Sequence, residues 1–225
     1  MGIRHWPASE RPREKLLARG VASLSDGELL AILLRSGVRG HSAVSLGRNL
    51  LAVHGGLRAV MAADQSALCA QPGVGQATWS VLQACAEINR RCLWAAVDTR
   101  TGLDNPHAAA DVLRAELAHL SHEVFACLWL DNRHRVLAFE VLFRGTLDSA
   151  SVYPREVVKR ALAVNAAAVI FAHNHPSGCA EPSAADRDIT GALRRALALV
   201  SVRVLDHLVV GVSDTVSLAE RGWLT

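Results

Sequence analysis

The 225-residue chain is poor in the features that announce a protein class at a glance. Its five cysteines, Cys69, Cys85, Cys92, Cys127 and Cys179, are odd in number, widely spaced and free of any C-x-x-C pair. That excludes a disulfide framework and a cysteine-based zinc module, and the thiols are expected to be reduced and mostly buried. Long apolar runs are missing: stretches such as 166–172 fall far short of the roughly 18 to 20 residues that span a bilayer. The opening Met1-Gly2-Ile3-Arg4-His5-Trp6-Pro7 has no apolar signal-peptide core, so a soluble, cytoplasmic protein with no membrane partner is expected. Charge of one sign is scarce as well. The formal net charge of +3 is too small to announce a nucleic-acid partner, and with Lys15 and Lys159 the only lysines, the positive charge is carried by arginine. What excess there is lies early: residues 1–98 hold 11 basic and 7 acidic side chains, residues 99–225 hold 13 and 14. With 51% hydrophobic residues the chain is no disordered tail, and its length gives one or two domains able to bury a core without metal or disulfide.

The first half reads as helices. Ser25-Asp26-Gly27-Glu28 is a capping box ahead of Leu29, Leu30, Ile32, Leu33 and Leu34, and Arg35-Ser36-Gly37 looks like the stop, with Gly37 as its left-handed residue. Further helices are expected over 43–53 and 57–62, with Asp64 capping a short turn through Leu68. After Pro72-Gly73-Val74-Gly75 a long helix should run from Gln76 to about Trp94, its apolar face made by Val81, Leu82, Cys85, Ile88 and Cys92. Residues 95–105, with Asp98-Thr99-Arg100-Thr101-Gly102, break the pattern and are taken as the linker, giving domains 1–98 and 99–225. Beyond it the period changes. A helix over 111–119 precedes β-like runs at 125–130 and 136–143, which are joined by an Asp131-Asn132-Arg133-His134 turn. A helix over 155–164, a buried strand over 168–172, a polar loop 173–182, a helix over 183–199 and strands near 202–205 and 208–212 complete an α+β or α/β half.

The most informative segment is His173-Asn174-His175-Pro176-Ser177-Gly178, directly after the apolar strand. Strand side chains alternate, so His173 and His175 share a side, where two imidazoles can hold one metal ion. Pro176 ends the strand, and Gly178 and Pro182 shape a turn that can bring Asp186 back toward the histidines. Two imidazoles and a carboxylate leave a tetrahedral zinc with an open fourth position, the mark of a catalytic rather than a structural site. An isolated H-x-H before proline can equally cap a strand, but the added Ser183 and Asp186 weigh against that.

These residues resemble a known family. H-x-H, seven residues, Ser, two residues, Asp is the JAMM (MPN+) metalloprotease signature, and the His173 to Asp186 segment is similar to its RadC branch. Phe143-Arg144-Gly145-Thr146-Leu147, Tyr153-Pro154-Arg155-Glu156-Val157, Asn165-Ala166-Ala167-Ala168, Val204-Leu205-Asp206-His207, Ala219-Glu220-Arg221-Gly222 and the early Leu24 to Leu30 stretch share the likeness, which spans essentially the whole chain. The resemblance implies a helical helix-hairpin-helix domain followed by a JAMM/MPN, cytidine-deaminase-like α/β zinc domain. It implies His173, His175 and Asp186 as Zn2+ ligands and Ser183 as a partner of the tetrahedral oxyanion. It also implies a glutamate acid/base: Glu123, just before the first strand, is preferred, and Glu140, on the second strand, is the competitor. Asp206 and His207 read as a turn and a strand start, Cys179 as an exposed bystander, Glu181 as a solvated loop carboxylate, and Asn174 and Ser177 as bonding the loop backbone.

The resemblance further implies amide or isopeptide hydrolysis of a protein or peptide substrate. Two other readings stay open: a DNA-repair accessory protein with a structural or vestigial zinc site, and a metal-dependent nuclease. The nuclease is disfavoured because phosphodiester cleavage often uses two metals ~4 Å apart. Pro72-Gly73-Val74-Gly75 resembles a helix-hairpin-helix turn, where Gly73 and Gly75 would admit a DNA phosphate without sequence preference and Arg90 and Arg91 could add backbone contacts. A compact turn that packs two helices is the alternative. Trp79, where such hairpins carry a small or basic residue, points to weak DNA binding or protein contact.

Overall fold

A computed structural model describes residues 3–97, 103, 106–145, 152–212 and 214–224. The expected linker 98–102 and the Thr146-Leu147 end of one family-like segment lie outside the described residues. The chain divides into two compact units, Met1–Asn89 and Arg90–Thr225.

The first unit is built from α1 (Pro12–Arg19), α2 (Asp26–Leu34), α3 (Ala43–His54), α4 (Leu57–Ala62), α5 (Gln65–Cys69) and the start of α6 (Gln76–Ala96). Helix α1 has no counterpart in the sequence reading. The Ser25–Glu28 capping box forms, with the Ser25 amide donating to Glu28 Oε2 at 2.8 Å. Asp64 Oδ1 caps α5 by accepting the Ala67 amide at 2.7 Å. One stop signal is corrected: the residue after α2 with positive φ is Arg35, at 66°, and not Gly37. Gly37 is required for space instead, since a Cβ there would sit 2.2 Å from the His41 carbonyl oxygen. Leu30, Leu34, Val44, Leu50, Val60, Leu68 and Leu82 form the core. The expected apolar face of α6 is also corrected: Leu82 is buried, whereas Val81, Ile88 and Cys92 are exposed. Among the five free thiols only Cys127 is buried, against the expectation of mostly buried cysteines. No helix among the described residues is long and apolar enough to cross a membrane.

The second unit is a mixed sheet with helices on both faces. Its elements are α7 (Pro106–Leu117), β1 (Val124–Leu130), β2 (Val136–Arg144), α8 (Pro154–Ala163), β3 (Ala168–Asn174), α9 (Ala184–Ala198), β4 (Arg203–Val210) and β5 (Thr215–Ser217). The strand order is β2-β1-β3-β4-β5, with β3 and β4 parallel and the other neighbours antiparallel. Every residue of β1 and β3 is buried, as expected of central strands covered on both sides. Alternation sorts their side chains into two layers. Leu128, Ala126, Ile170 and Ala172 pack with Leu113 and Leu117 of α7, while Phe125, Trp129, Val169 and Phe171 pack with Val157 of α8 and Leu193 and Leu197 of α9.

The sequence reading splits β4 into two strands around Asp206-His207, and the structure joins them. Asp206 remains mid-strand because its carboxylate is satisfied across the sheet. Oδ2 accepts the Ser217 hydroxyl at 2.6 Å, and Oδ1 accepts the amides of His207 and Ala219 at 2.7 and 3.0 Å. Polar side chains interrupted the hydrophobic pattern, and the pairing with β3 continues through them with one register shift, from Val204 to Asp206.

Candidate metal centre

His173 is the next-to-last residue of β3, and alternation puts it on the face shared by Val169 and Phe171, toward α9. His175 follows one residue past the strand, anchored by its amide bond to the Val210 carbonyl at 2.9 Å. Asp186 stands in the first turn of α9, whose N-cap is Ser183. His173 Nε2 lies 3.0 Å from His175 Nε2 and 3.2 Å from Asp186 Oδ1, and His175 Nε2 lies 3.9 Å from Asp186 Oδ2. The His173 and Asp186 side chains are fully buried, and that of His175 is 18% exposed, so solvent reaches the cluster from its side.

Hydrogen bonds assign the protons. His175 Nδ1 is 2.8 Å from the Cys179 carbonyl oxygen, which can only accept, so Nδ1 carries the proton and Nε2 presents a lone pair. Asp186 Oδ2 accepts both the Ser183 amide and the Ser183 hydroxyl, each at 2.7 Å, while Oδ1, buried against His173, takes no hydrogen bond. Burial disfavours the ionised form of Asp186. The neighbouring His173 imidazole and the Ser183 donors outweigh it and hold the carboxyl below the usual carboxylate range.

Glu123 precedes β1 and is half-buried, and its carboxylate falls within 4.8 Å of ring nitrogens of His173 and His175. The histidines therefore face two carboxylates: Glu123 completes a set of three mutually close donor atoms, and Asp186 meets them through its two different oxygens. Ligands bonded to tetrahedral zinc at ~2.0–2.1 Å stand about 3.4 Å apart; the His173–His175 and His173–Asp186 Oδ1 separations, 3.0 and 3.2 Å, are near that spacing, and the 3.9 Å from His175 is to the other Asp186 oxygen, Oδ2. Glu140 is elsewhere: its carboxylate accepts from Trp129 Nε1 at 3.1 Å and Arg160 Nε at 2.6 Å, and Arg160 holds it below the usual carboxylate range.

Residues 103–223 match the family described as RadC-like JAB domain. Full-length relatives extend the match. The chain is 59% identical to a UPF0758 protein of Azotobacter vinelandii and 60% identical to one of Stutzerimonas stutzeri, in both cases over 100% of each chain. The chain belongs to the RadC-like JAB domain family. Its residues 3–80 match the family described as UPF0758 N-terminal.

The RadC-like fold also reveals residues whose roles the sequence reading missed. Asn174, fully enclosed between the two histidines in sequence, points to the opposite face of β3. Its Oδ1 accepts the Val124 amide at 2.9 Å, and its Nδ2 donates to the carbonyls of His122 and Leu120 at 3.1 and 3.3 Å. Asn174 thus fixes the backbone on both sides of Glu123 rather than the metal-loop backbone expected for it. His207 is mid-strand in β4 and fully buried, correcting its place at a strand start. Burial, with His173 beside it, pushes the His207 imidazole well below the usual histidine range. Period-2 alternation around H-N-H could have flagged Asn174, but nothing local in sequence joins His207 to His173. Glu181 is exposed, as expected of a solvated loop carboxylate, and also pairs with Arg221 at 2.7 Å; Arg90 pairs with Glu116 at 2.8 Å.

Proposed function

We propose that the chain is a zinc metallohydrolase acting on a peptide or isopeptide bond. The observation that carries this is the convergence of His173 Nε2 and His175 Nε2, 3.0 Å apart, on the buried Asp186 carboxylate, with Oδ1 3.2 Å from His173 and Oδ2 3.9 Å from His175. Donor atoms packed this closely need a shared proton or a cation between them, and we take it to be a cation. A zinc ion held by His173, His175 and Asp186 supplies Lewis acidity toward a carbonyl and acidifies water to near neutrality. Glu123, held from both flanks by Asn174, takes a proton from the attacking water and returns it to the leaving amine. Ser183 holds Asp186 through its amide, and its hydroxyl serves the tetrahedral oxyanion once it turns from Asp186 Oδ2. The test is zinc content and hydrolysis of a peptide and isopeptide panel by the full chain, by Asp186→Ala and by Glu123→Gln. Zinc-loaded wild type without hydrolysis, or hydrolysis that survives both changes, rejects the proposal.

We infer further that α5, the 70–75 turn and α6 form a helix-hairpin-helix, followed along the chain by a cytidine-deaminase-like domain, with DNA as partner of the first unit. Gly73, at φ +86°, closes the turn where a Cβ would meet Val38 at 2.6 Å, and a Cβ on Gly75 would meet only open space. Trp79 packs in the first core and donates to the Ala63 carbonyl at 3.2 Å, so it does not fill the space above the turn. Duplex DNA affinity that falls steeply with salt supports this reading, and no binding at low salt rejects it.

A further inference from the structure

We propose that His207 and Thr190 are positioning residues that lock His173 as a metal-ready tautomer and tie it to Asp186, a role that rests on the zinc reading above. The argument follows one chain of contacts. Thr190, one turn beyond Asp186 on α9, donates its hydroxyl proton to the Asp186 carbonyl at 2.5 Å. With that proton committed, its oxygen can only accept from His207 Nδ1, also at 2.5 Å. His207 Nδ1 therefore carries hydrogen, and the Nε2 of the same neutral ring is a lone pair. That lone pair sits 2.8 Å from His173 Nδ1, which must donate to it. His173 Nε2 is left unprotonated, facing His175 Nε2 and Asp186 Oδ1.

The chain of bonds joins two of the proposed ligands. It starts from the backbone of one ligand, Asp186, crosses from α9 to β4 to β3, and ends on the ring of another, His173. Thr190 and His207 are 1% and 0% exposed, and the His207 ring lies edge-on to Phe125 and Phe171 at centroid distances of 5.4 and 5.9 Å. Water cannot substitute for either partner, and the aromatic edges prevent the ring from turning. A donor supplied to a metal-bound imidazole from its far nitrogen fixes ring orientation, and its loss typically costs 10- to 100-fold in metal affinity.

The experiment uses the full chain with Zn2+ as probe, its affinity measured by chelator competition, and long-range proton–nitrogen NMR of the metal-free protein to read histidine tautomers. We expect His173 and His207 both to be Nδ1–H. Thr190→Val should bind zinc about 10-fold more weakly and His207→Leu about 10- to 100-fold more weakly. His207→Gln, which keeps an acceptor toward His173 Nδ1, should recover most of the loss. A His173 Nε2–H tautomer in the wild type, or unchanged zinc affinity in folded Thr190→Val, overturns the relay while leaving the zinc site standing. Wild type that binds no zinc overturns both. Should His207→Leu fail to fold, the wild-type tautomers and Thr190→Val decide the matter.

Discussion

The two units spend their buried polar groups differently. Among the described residues the first unit buries one charged side chain, Glu28, whereas the second buries His173, Asn174, Asp186, Thr190 and His207. Glu28 is accounted for by structure: it closes the α2 capping box with Ser25 and pairs with Lys15 at 2.9 Å. Asp186 likewise closes the α9 capping box with Ser183, but the five residues of the second unit also make buried contacts beyond capping. They form two linked sets, one ending in three converging donor atoms and one gripping the backbone around Glu123. Burying polar groups costs free energy unless each is matched. A helical bundle avoids that cost, and the sheet domain accepts it where chemistry requires it.

Changes in the two units should therefore separate function from stability. Asp186→Ala has the largest expected effect, loss of zinc uptake by more than about 100-fold in direct metal analysis, because it removes a ligand outright. Next is Glu123→Gln, which should retain zinc and lose hydrolysis by about 100- to 10,000-fold, the range of a general acid/base. If zinc is lost instead, Glu123 is a ligand and the assignment of Asp186 must be revised. Asn174→Leu should destabilise the second unit by about 1 to 3 kcal/mol in denaturant unfolding, since it strands the Val124 amide and the His122 carbonyl. Lys15→Met in the first unit should cost about 1 to 3 kcal/mol, since the buried Glu28 carboxylate then keeps its Ser25 bonds but loses its Lys15 partner, and should leave zinc affinity unchanged. A loss of zinc binding there would break the contrast between the units.

The smallest effect is expected at Glu140. The Arg160 hydrogen bond lowers its folded pKa, so its contribution is present above the ordinary carboxylate range and fades as pH falls through the folded value. The pair is partly exposed, and solvent screening limits it to about 1 kcal/mol. Glu140→Gln should thus lower stability slightly at neutral pH, with the difference from wild type vanishing in acid, as urea titrations at several pH values would show. A large loss of hydrolysis in this variant would return Glu140 to the catalytic site.

Much of the architecture was legible locally. The capping box at Ser25, the Asp64 cap, the buried β3 run and the H-x-H spacing each act over a few residues, and the structure contains all of them. Boundaries set by tertiary satisfaction were not. Arg35 adopts positive φ while Gly37 is held by close approach to His41, and β4 runs through Asp206 because Ser217 and the Ala219 amide answer its carboxylate. Such reasons come from partners distant in the chain.

The sequence by itself determined the donor types and their order: two imidazoles alternating to one side of a strand, then a capped helix carrying a carboxylate. Local periodicity and capping chemistry suffice for that. Only the tertiary structure decided that Glu123 and not Glu140 stands by the histidines, that Asn174 holds the Glu123 backbone, and that Thr190 and His207 link Asp186 to His173. Those relations depend on strand order and on β3 pairing with both β1 and β4, which bring residues about fifty and thirty positions apart into hydrogen-bond range.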